Sequence, residues 1–188
     1  MNQLSLFDDQ IIIPGLTYIS EYITIEEENK LIKLIDNSKW NNELKRRVQH
    51  YGYKYYYKSR FINQSYFLGM LPQWLQTLCD SLHKQNIFHE IPDQVIINEY
   101  MPGQGITPYT DCIPCFSDTI CSLSLGSRCA MELTKDKVKR SITLQARSLL
   151  ILKNEARYKW QHGIIARKSD NKIARNRRIS LTFRKVIK

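Results

Sequence analysis

The sequence predicts an α+β domain, in which two early helices are followed by several short strands whose sheets form a sandwich or barrel. Apolar residues before position 90 recur with helical spacing behind recognisable start signals. From Val95 onward they run or alternate in short segments suited to strands. At 188 residues, with no internal repeat, low-complexity tract or Pro/Gly-rich linker, the chain has the length of one ordinary domain. Several strands following two helices pack as layers around one core.

Taken in order, residues 1–10 are expected to form a flexible N-terminal peptide, and 11–188 the domain. Ile11-Ile12-Ile13-Pro14-Gly15-Leu16-Thr17-Tyr18-Ile19 reads as strand, turn and strand. Thr24, with Glu27 three residues later, is a capping box that opens a helix with Ile25, Leu31, Ile32 and Ile35 as its buried stripe. A second helix starts at Pro72, with Trp74, Leu75, Leu78 and Leu82 on its apolar side. Strands are then predicted over 95–100, 120–125, 141–144, 148–152 and 179–186.

No apolar run approaches the roughly 18–20 residues that span a bilayer, and the first residues lack the basic and apolar regions of a secretion signal. The expectation is therefore a cytoplasmic protein without a membrane partner; a monomer is also expected. Its five cysteines should then be reduced thiols. The net charge of +10 is polarised: residues 135–188 hold 17 Lys/Arg against three acids, whereas residues 1–134 hold 11 against 15. Such polarity suits docking on phosphates, although a solvated basic face has the same composition.

The chemistry is concentrated in the second half. Asp111 and His162, 51 residues apart, supply a carboxylate and an imidazole; on strands these are two of the three donors that non-haem Fe(II) oxygenases use on one face of the metal. Arg178 and Arg184 lie six apart on one predicted strand, so both face one side, and such a pair suits a dicarboxylate. Leu181 and Phe183 alternate with them, which argues for a buried strand. Arg46, Arg47, His50, Tyr51, Tyr53, Tyr55, Tyr56 and Tyr57 mix cations with rings, as in surfaces that stack bases and hold phosphates. An edge hairpin whose tyrosines pack on the core reads the same way. Cys112-Ile113-Pro114-Cys115 is a lone Cys-x-x-Cys, weak grounds for zinc.

These residues fall in ordered blocks: Asn98 and Tyr100, Pro102-Gly103 through Asp111, Ser124-Leu125-Gly126, Arg147-Ser148-Leu149-Leu150, Arg157 to Ile164, and Arg178 to Arg184. In this order they resemble the AlkB family of Fe(II)/2-oxoglutarate dioxygenases, and Arg47-Val48-Gln49-His50-Tyr51-Gly52 resembles that family's substrate lid. The resemblance implies a double-stranded β-helix, or jelly roll, with two N-terminal flanking helices. It implies Fe(II) held by Asp111 and His162, and 2-oxoglutarate held by Asn98, Tyr100, Arg178, Ser180 and Arg184. Alkylated DNA or RNA would meet Arg46, Arg47, Tyr51 and Tyr53, and its alkyl groups would be removed oxidatively. A tRNA-base hydroxylase is the enzyme alternative, since the lid and Ser-Leu-Gly also resemble the wobble-uridine branch.

Tyr109 departs from the pattern: it stands where the family places a third metal ligand, a histidine. It leaves three readings: weak or absent catalysis, an altered but working ligand set, or a single-position change in an otherwise active protein. The non-enzyme alternative is a nucleic-acid-binding module that has lost turnover. Ile113 also departs, standing where the DNA-repair branch often carries an acid. Finally, Gln3, Leu4, Ser5, Leu6 and Phe7 resemble the peptide with which bacterial repair proteins hold the sliding clamp.

Overall fold

A computed structural model describes residues 13–42, 44–56, 62 and 64–187. The Gln3, Leu4, Ser5, Leu6 and Phe7 motif and Tyr57 lie outside the described residues. The chain runs β1 (Leu16–Ile19), α1 (Ile25–Asp36), β2 (Val48–Tyr51), a 3₁₀ turn (Gln64–Tyr66), α2 (Gln73–Lys84), β3 (Gln94–Tyr100), β4 (Ile106–Tyr109) and β5 (Phe116–Gly126). It continues through β6 (Cys129–Lys135), β7 (Val138–Leu144), β8 (Leu149–Leu152), α3 (Asn154–Tyr158), β9 (Gln161–Ile164), the short hairpin β10 (Ser169–Asp170) and β11 (Ile173–Ala174), and β12 (Arg178–Val186).

Two antiparallel sheets form the body. One has the order β1-β8-β5-β12-β3-β2, the other β4-β9-β6-β7. This is the jelly roll that the resemblance implies. Strand β12 lies near the middle of the larger sheet, paired with β3 on one side and β5 on the other. Its alternation divides two environments. Ile179, Leu181 and Phe183 join one apolar cluster with Leu31 and Ile35 of α1 and Leu75, Cys79 and Leu82 of α2. Arg178, Ser180, Thr182 and Arg184 therefore point the other way, between the sheets, where Tyr100, Ile120, Met131, Leu150 and Ile164 form a second cluster. The helices thus cover one face of the large sheet, and the site occupies the opposite face.

Helix α1 carries the predicted capping box, Thr24 accepting from the Glu27 amide and Glu27 accepting from the Thr24 amide. Its buried stripe differs from the expectation. Ile25 is 56% exposed, while Glu28 is buried. Glu28 accepts from the Gly126 amide and from Arg147 at 3.1 Å, so a paired carboxylate takes the place of an apolar side chain at the first turn. Pro72 opens α2 as its N-cap. No helix among the described residues is long and apolar enough to cross a membrane.

Two further expectations are corrected. The five cysteines are not all thiols: Cys112 and Cys115 are joined in a disulfide, whereas Cys79, Cys121 and Cys129 are free and buried. The basic half of the chain is also much less exposed than its composition suggests. Arg157, Arg175, Arg178 and Arg184 are buried, and Arg147, Arg177 and Lys185 are ion-paired to acids. Lys137, Lys139 and Arg140 on and beside the edge strand β7, with Lys168 and Lys172 at the β10–β11 hairpin, are exposed.

Candidate active site

The site lies where β4 and β9 face β12. Tyr109 and His162 are direct cross-strand partners, their rings 4.5 Å apart. A Cβ on Gly163 would meet the Pro108 nitrogen at 2.8 Å, so the residue after His162 must be small for β9 to lie this close to β4. Asp111 follows β4 and turns inward. Its Oδ2 is 3.5 Å from Nε2 of His162, and its Oδ1 accepts from Arg184 Nε at 2.8 Å. Asp111, His162 and Arg184 are all buried.

Electrostatics set the protonation states. Burial alone would raise the Asp111 pKa, but Arg184, then His162 and Arg157, outweigh it and hold the carboxyl ionised below its ordinary range. Burial lowers the His162 pKa against the pull of Asp111, keeping the imidazole neutral. Its Nδ1 is buried with no hydrogen-bond partner among the described residues. Burial, and then the Asp111 charge, push the Tyr109 phenol above its ordinary value, so it stays protonated.

A cavity of about 300 Å³ opens over this group, lined by Asp111, Arg184, Tyr109, Asn98, Arg46 and Tyr55 among others. A deeper chamber of about 30 Å³ shares Asn98 and Tyr109 with it and adds Tyr100, Arg178, Ser180, Thr182 and His162. Each residue expected to meet 2-oxoglutarate therefore lines one of these two spaces. Arg178 donates to Ser124 Oγ at 2.8 Å and lies over the Tyr100 ring, while its buried Nε has no hydrogen-bond partner among the described residues. Ser180 shares a 2.9 Å hydrogen bond with Ser122. Arg184 is divided between Asp111 and Gln94. The two arginines share a face as the spacing predicts, but Arg184 is committed to the carboxylate beside His162 and Arg178 to the deep chamber.

The lid residues are placed differently from the expectation. Arg46 lines the cavity and donates to Asn98 Oδ1 at 2.9 Å. Arg47 instead pairs with Glu99 through two nitrogens and lies over the Trp40 ring. Tyr51 packs edge-on against Trp74 and donates to Gln49. Tyr53 is 3% exposed and packs at a tilt against Phe67. The cause is Gly52, at φ +75° with its α-carbon so close to Asp93 that a Cβ would fall 1.9 Å from the Asp93 carbonyl oxygen. The bend breaks the alternation, sending Tyr51 to the helix side and Tyr53 to the inter-sheet core. Tyr55, not singled out among the expected substrate contacts, lines the cavity in their stead.

Sequence reasoning also assigned no role to Ser124 or Arg157. Ser124 stands on β5 opposite Ser180, at the register that lets it reach Arg178. Its Ser-Leu-Gly block was visible, but only strand register shows what the hydroxyl touches. Among the described residues, no group of three or more His, Cys, Asp and Glu side chains is arranged to hold a metal. Asp111 and His162 are a pair.

A family model described as the 2OG-Fe(II) oxygenase superfamily matches residues 33–184. "Uncharacterized protein L905" of Acanthamoeba polyphaga mimivirus is 40% identical over 93% of this chain and 86% of its own length. The "Alkylated DNA repair protein ALKBH8 homolog" of Arabidopsis thaliana is 34% identical over 97% of this chain and 61% of its own. The "tRNA (carboxymethyluridine(34)-5-O)-methyltransferase ALKBH8" of Mus musculus is 39% identical over 84% of this chain and 25% of its own. The chain thus spans under two thirds of the plant relative and a quarter of the mouse one. Among solved structures, OsALKBH1 superposes with a TM-score of 0.72 over 94% of this chain and 99% of that one, at 14% identity, which shows the shared fold. The chain belongs to the 2OG-Fe(II) oxygenase superfamily and, within it, to the AlkB-like proteins.

Proposed function

We propose that this chain binds Fe(II) and 2-oxoglutarate and oxidises an alkyl substituent on a nucleic-acid base. The observation that carries this reading is the 3.5 Å separation of Asp111 Oδ2, whose residue lines the 300 Å³ cavity, from His162 Nε2, whose residue lines the smaller chamber beside it. That separation suits two neighbouring ligands of one ion at bond lengths of about 2 Å. Their states also fit, since a metal needs an ionised carboxylate and a neutral imidazole. Fe(II) with 2-oxoglutarate would supply the oxidising chemistry, consuming dioxygen and releasing succinate and carbon dioxide.

The chain's own residues hold and exclude. Arg178, backed by Ser124 and Tyr100, offers its unpartnered Nε to a carboxylate in the deep chamber. Arg184 fixes the Asp111 carboxylate so that Oδ2 faces His162. Ile106 and Tyr109 wall both spaces, and Arg46 and Tyr55 face the larger one, where a base would enter. A base within a duplex would have to leave its stack to reach it. The names of the plant and mouse relatives, one of alkylated-DNA repair and one of tRNA modification, support a nucleic-acid substrate.

A second reading rests on Tyr109. A protonated phenol is a poor third ligand, and ionised it would favour ferric over ferrous iron. The site therefore binds Fe(II) weakly and turns over slowly, while the cosubstrate chamber stays complete. Succinate formation should be measured with alkylated DNA and with tRNA, with and without added Fe(II). Substrate-dependent succinate supports the enzyme; nucleic-acid binding without succinate supports a binding module.

A further inference from the structure

Arg157 is the largest fully buried side chain of the described residues, at 2% exposure. Burying a guanidinium is costly unless its donors are satisfied, and an apolar residue would fill the space more cheaply. Among the described residues its two terminal nitrogens donate to main-chain carbonyls and to no carboxylate, while its buried Nε has no hydrogen-bond partner. Nη1 donates to the Asp111 carbonyl at 3.0 Å, and Nη2 to those of Cys112 at 3.1 Å and Phe116 at 3.4 Å. The turn from Asp111 to Phe116 is wrapped around one planar cation, and the Cys112–Cys115 disulfide closes the same turn. Arg157 itself belongs to α3, which leads directly into β9 and His162. One guanidinium therefore spans the two segments that carry the candidate metal ligands.

We propose that Arg157 is a positioning residue for the metal site: by tying the main chain of the Asp111 turn to the helix preceding His162, it sets the separation of the two ligands. The inference rests on the iron-site reading given above and assigns a role to a residue that touches neither metal nor cosubstrate. A planar fork with donors on separate nitrogens is what three converging carbonyls require; a lysine presents its donors from one point and cannot reach all three.

The test measures affinity for Mn(II), a redox-stable stand-in for Fe(II), by electron paramagnetic resonance, so no turnover is needed. The assay protein is the Tyr109→His variant, which completes the donor set, and Arg157→Lys is added to it. Leu82→Ala, in the core between α2 and the large sheet, serves as a control for lost stability alone, and Asp111→Asn as a control for the site. The proposal expects Arg157→Lys to weaken Mn(II) binding by about 10–100-fold, the usual effect of removing a group that orients a ligand. Leu82→Ala should leave the affinity unchanged, whatever it does to the melting temperature. Equal weakening by Leu82→Ala would show a merely structural role and overturn the proposal. Unchanged affinity in Arg157→Lys, with loss in Asp111→Asn, would overturn the positioning role and leave the site reading intact. Retained affinity in Asp111→Asn, or no Mn(II) binding by Tyr109→His, would overturn both. If Arg157→Lys does not fold, Arg157→Gln, which keeps an amide donor, is read in the same way. Failure of both to fold would assign Arg157 to the core and overturn the inference.

Discussion

The two ends of β12 offer the same residue to two unlike environments. At one end Arg178 lines a small chamber with Tyr100, Ser180 and the apolar Ile120, Met131 and Leu150, and donates to Ser124. At the other end Arg184 is bound to Asp111, and the strand opposite presents Tyr109 where the pattern calls for a histidine. β12 thus places Arg178 at the candidate anion contact and Arg184, six residues on, beside the candidate metal pair Asp111 and His162. The fold thus accommodates a protonated tyrosine at position 109, paired across strands with His162, together with the chamber at Arg178. Loss or weakening of one function at such a site need not unfold it or empty the other.

The most severe break of this comparison is at the metal end. Asp111→Asn keeps the size of the side chain and an acceptor for Arg184 but removes the charge that a divalent ion needs. It should abolish metal binding and succinate formation while leaving the 2-oxoglutarate site at Arg178 in place; retained metal binding would show that the ion is held elsewhere. Next in size is the support behind the Arg178 end. Asp170 is 4% exposed and accepts from Arg175 at 2.6 and 2.8 Å, from Arg167 and from the Ala130 amide. Asp170→Asn should cost about 3–5 kcal/mol, because it leaves Arg175 buried without its partner. A chemical-denaturation series decides it, and a loss below about 1 kcal/mol would put the pair among dispensable surface bridges.

The same carboxylate gives a pH dependence. Burial would raise its pKa, but the Arg175 fork, the Ala130 amide and Arg167 outweigh that and hold it far below the usual range. A depressed folded pKa contributes stability above the unfolded value of about 4, and that stability falls away as the pH drops below it. Melting temperature should therefore decline more steeply below about pH 4 in the parent than in Asp170→Asn.

Arg178→Ala comes third, weakening 2-oxoglutarate binding by about 1.5–3 kcal/mol through loss of a charge-assisted pair. Calorimetry on metal-loaded protein would read it, and unchanged affinity would move the cosubstrate out of the deep chamber. Smallest are the exposed lysines. Replacing Lys168 and Lys172 with Ala should weaken nucleic-acid binding across sequences and flatten its salt dependence by about 0.7–0.9 in log–log slope for each phosphate no longer neutralised. An unaltered slope would place the phosphates elsewhere on the surface.

Much of the fold was legible in the sequence, for reasons that also explain what was not. Period-two alternation through Ile179, Leu181 and Phe183 placed Arg178 and Arg184 on one buried face, and Thr24 with Glu27 fixed the start of α1, because both signals are local. The departure at Tyr109 was visible for the same reason. What alternation could not show was where it fails. Gly52 bends the chain after Tyr51, so the neighbouring Tyr51 and Tyr53 belong to two different cores. Composition was similarly blind to pairing. Arg47 and Arg177 converge on Glu99, and Arg175 on Asp170, across 5 to 78 positions of sequence, which converts an apparent basic surface into internal ion pairs. Arg157 was legible as a residue of a motif but not as a clamp, since its acceptors are carbonyls that any sequence supplies.

On the reading that rests on Tyr109, that one residue limits the proposed metal site. Its most direct test is the Fe(II) affinity of the parent against Tyr109→His, measured anaerobically with 2-oxoglutarate present and with melting temperature followed in parallel. The account predicts at least about a tenfold gain for the histidine variant, equivalent to about 1.4 kcal/mol, with little change in the binding contributed by Arg178. Equal Fe(II) affinity in the two proteins, with full succinate formation by the parent, would contradict it and make the tyrosine either a competent ligand or a bystander.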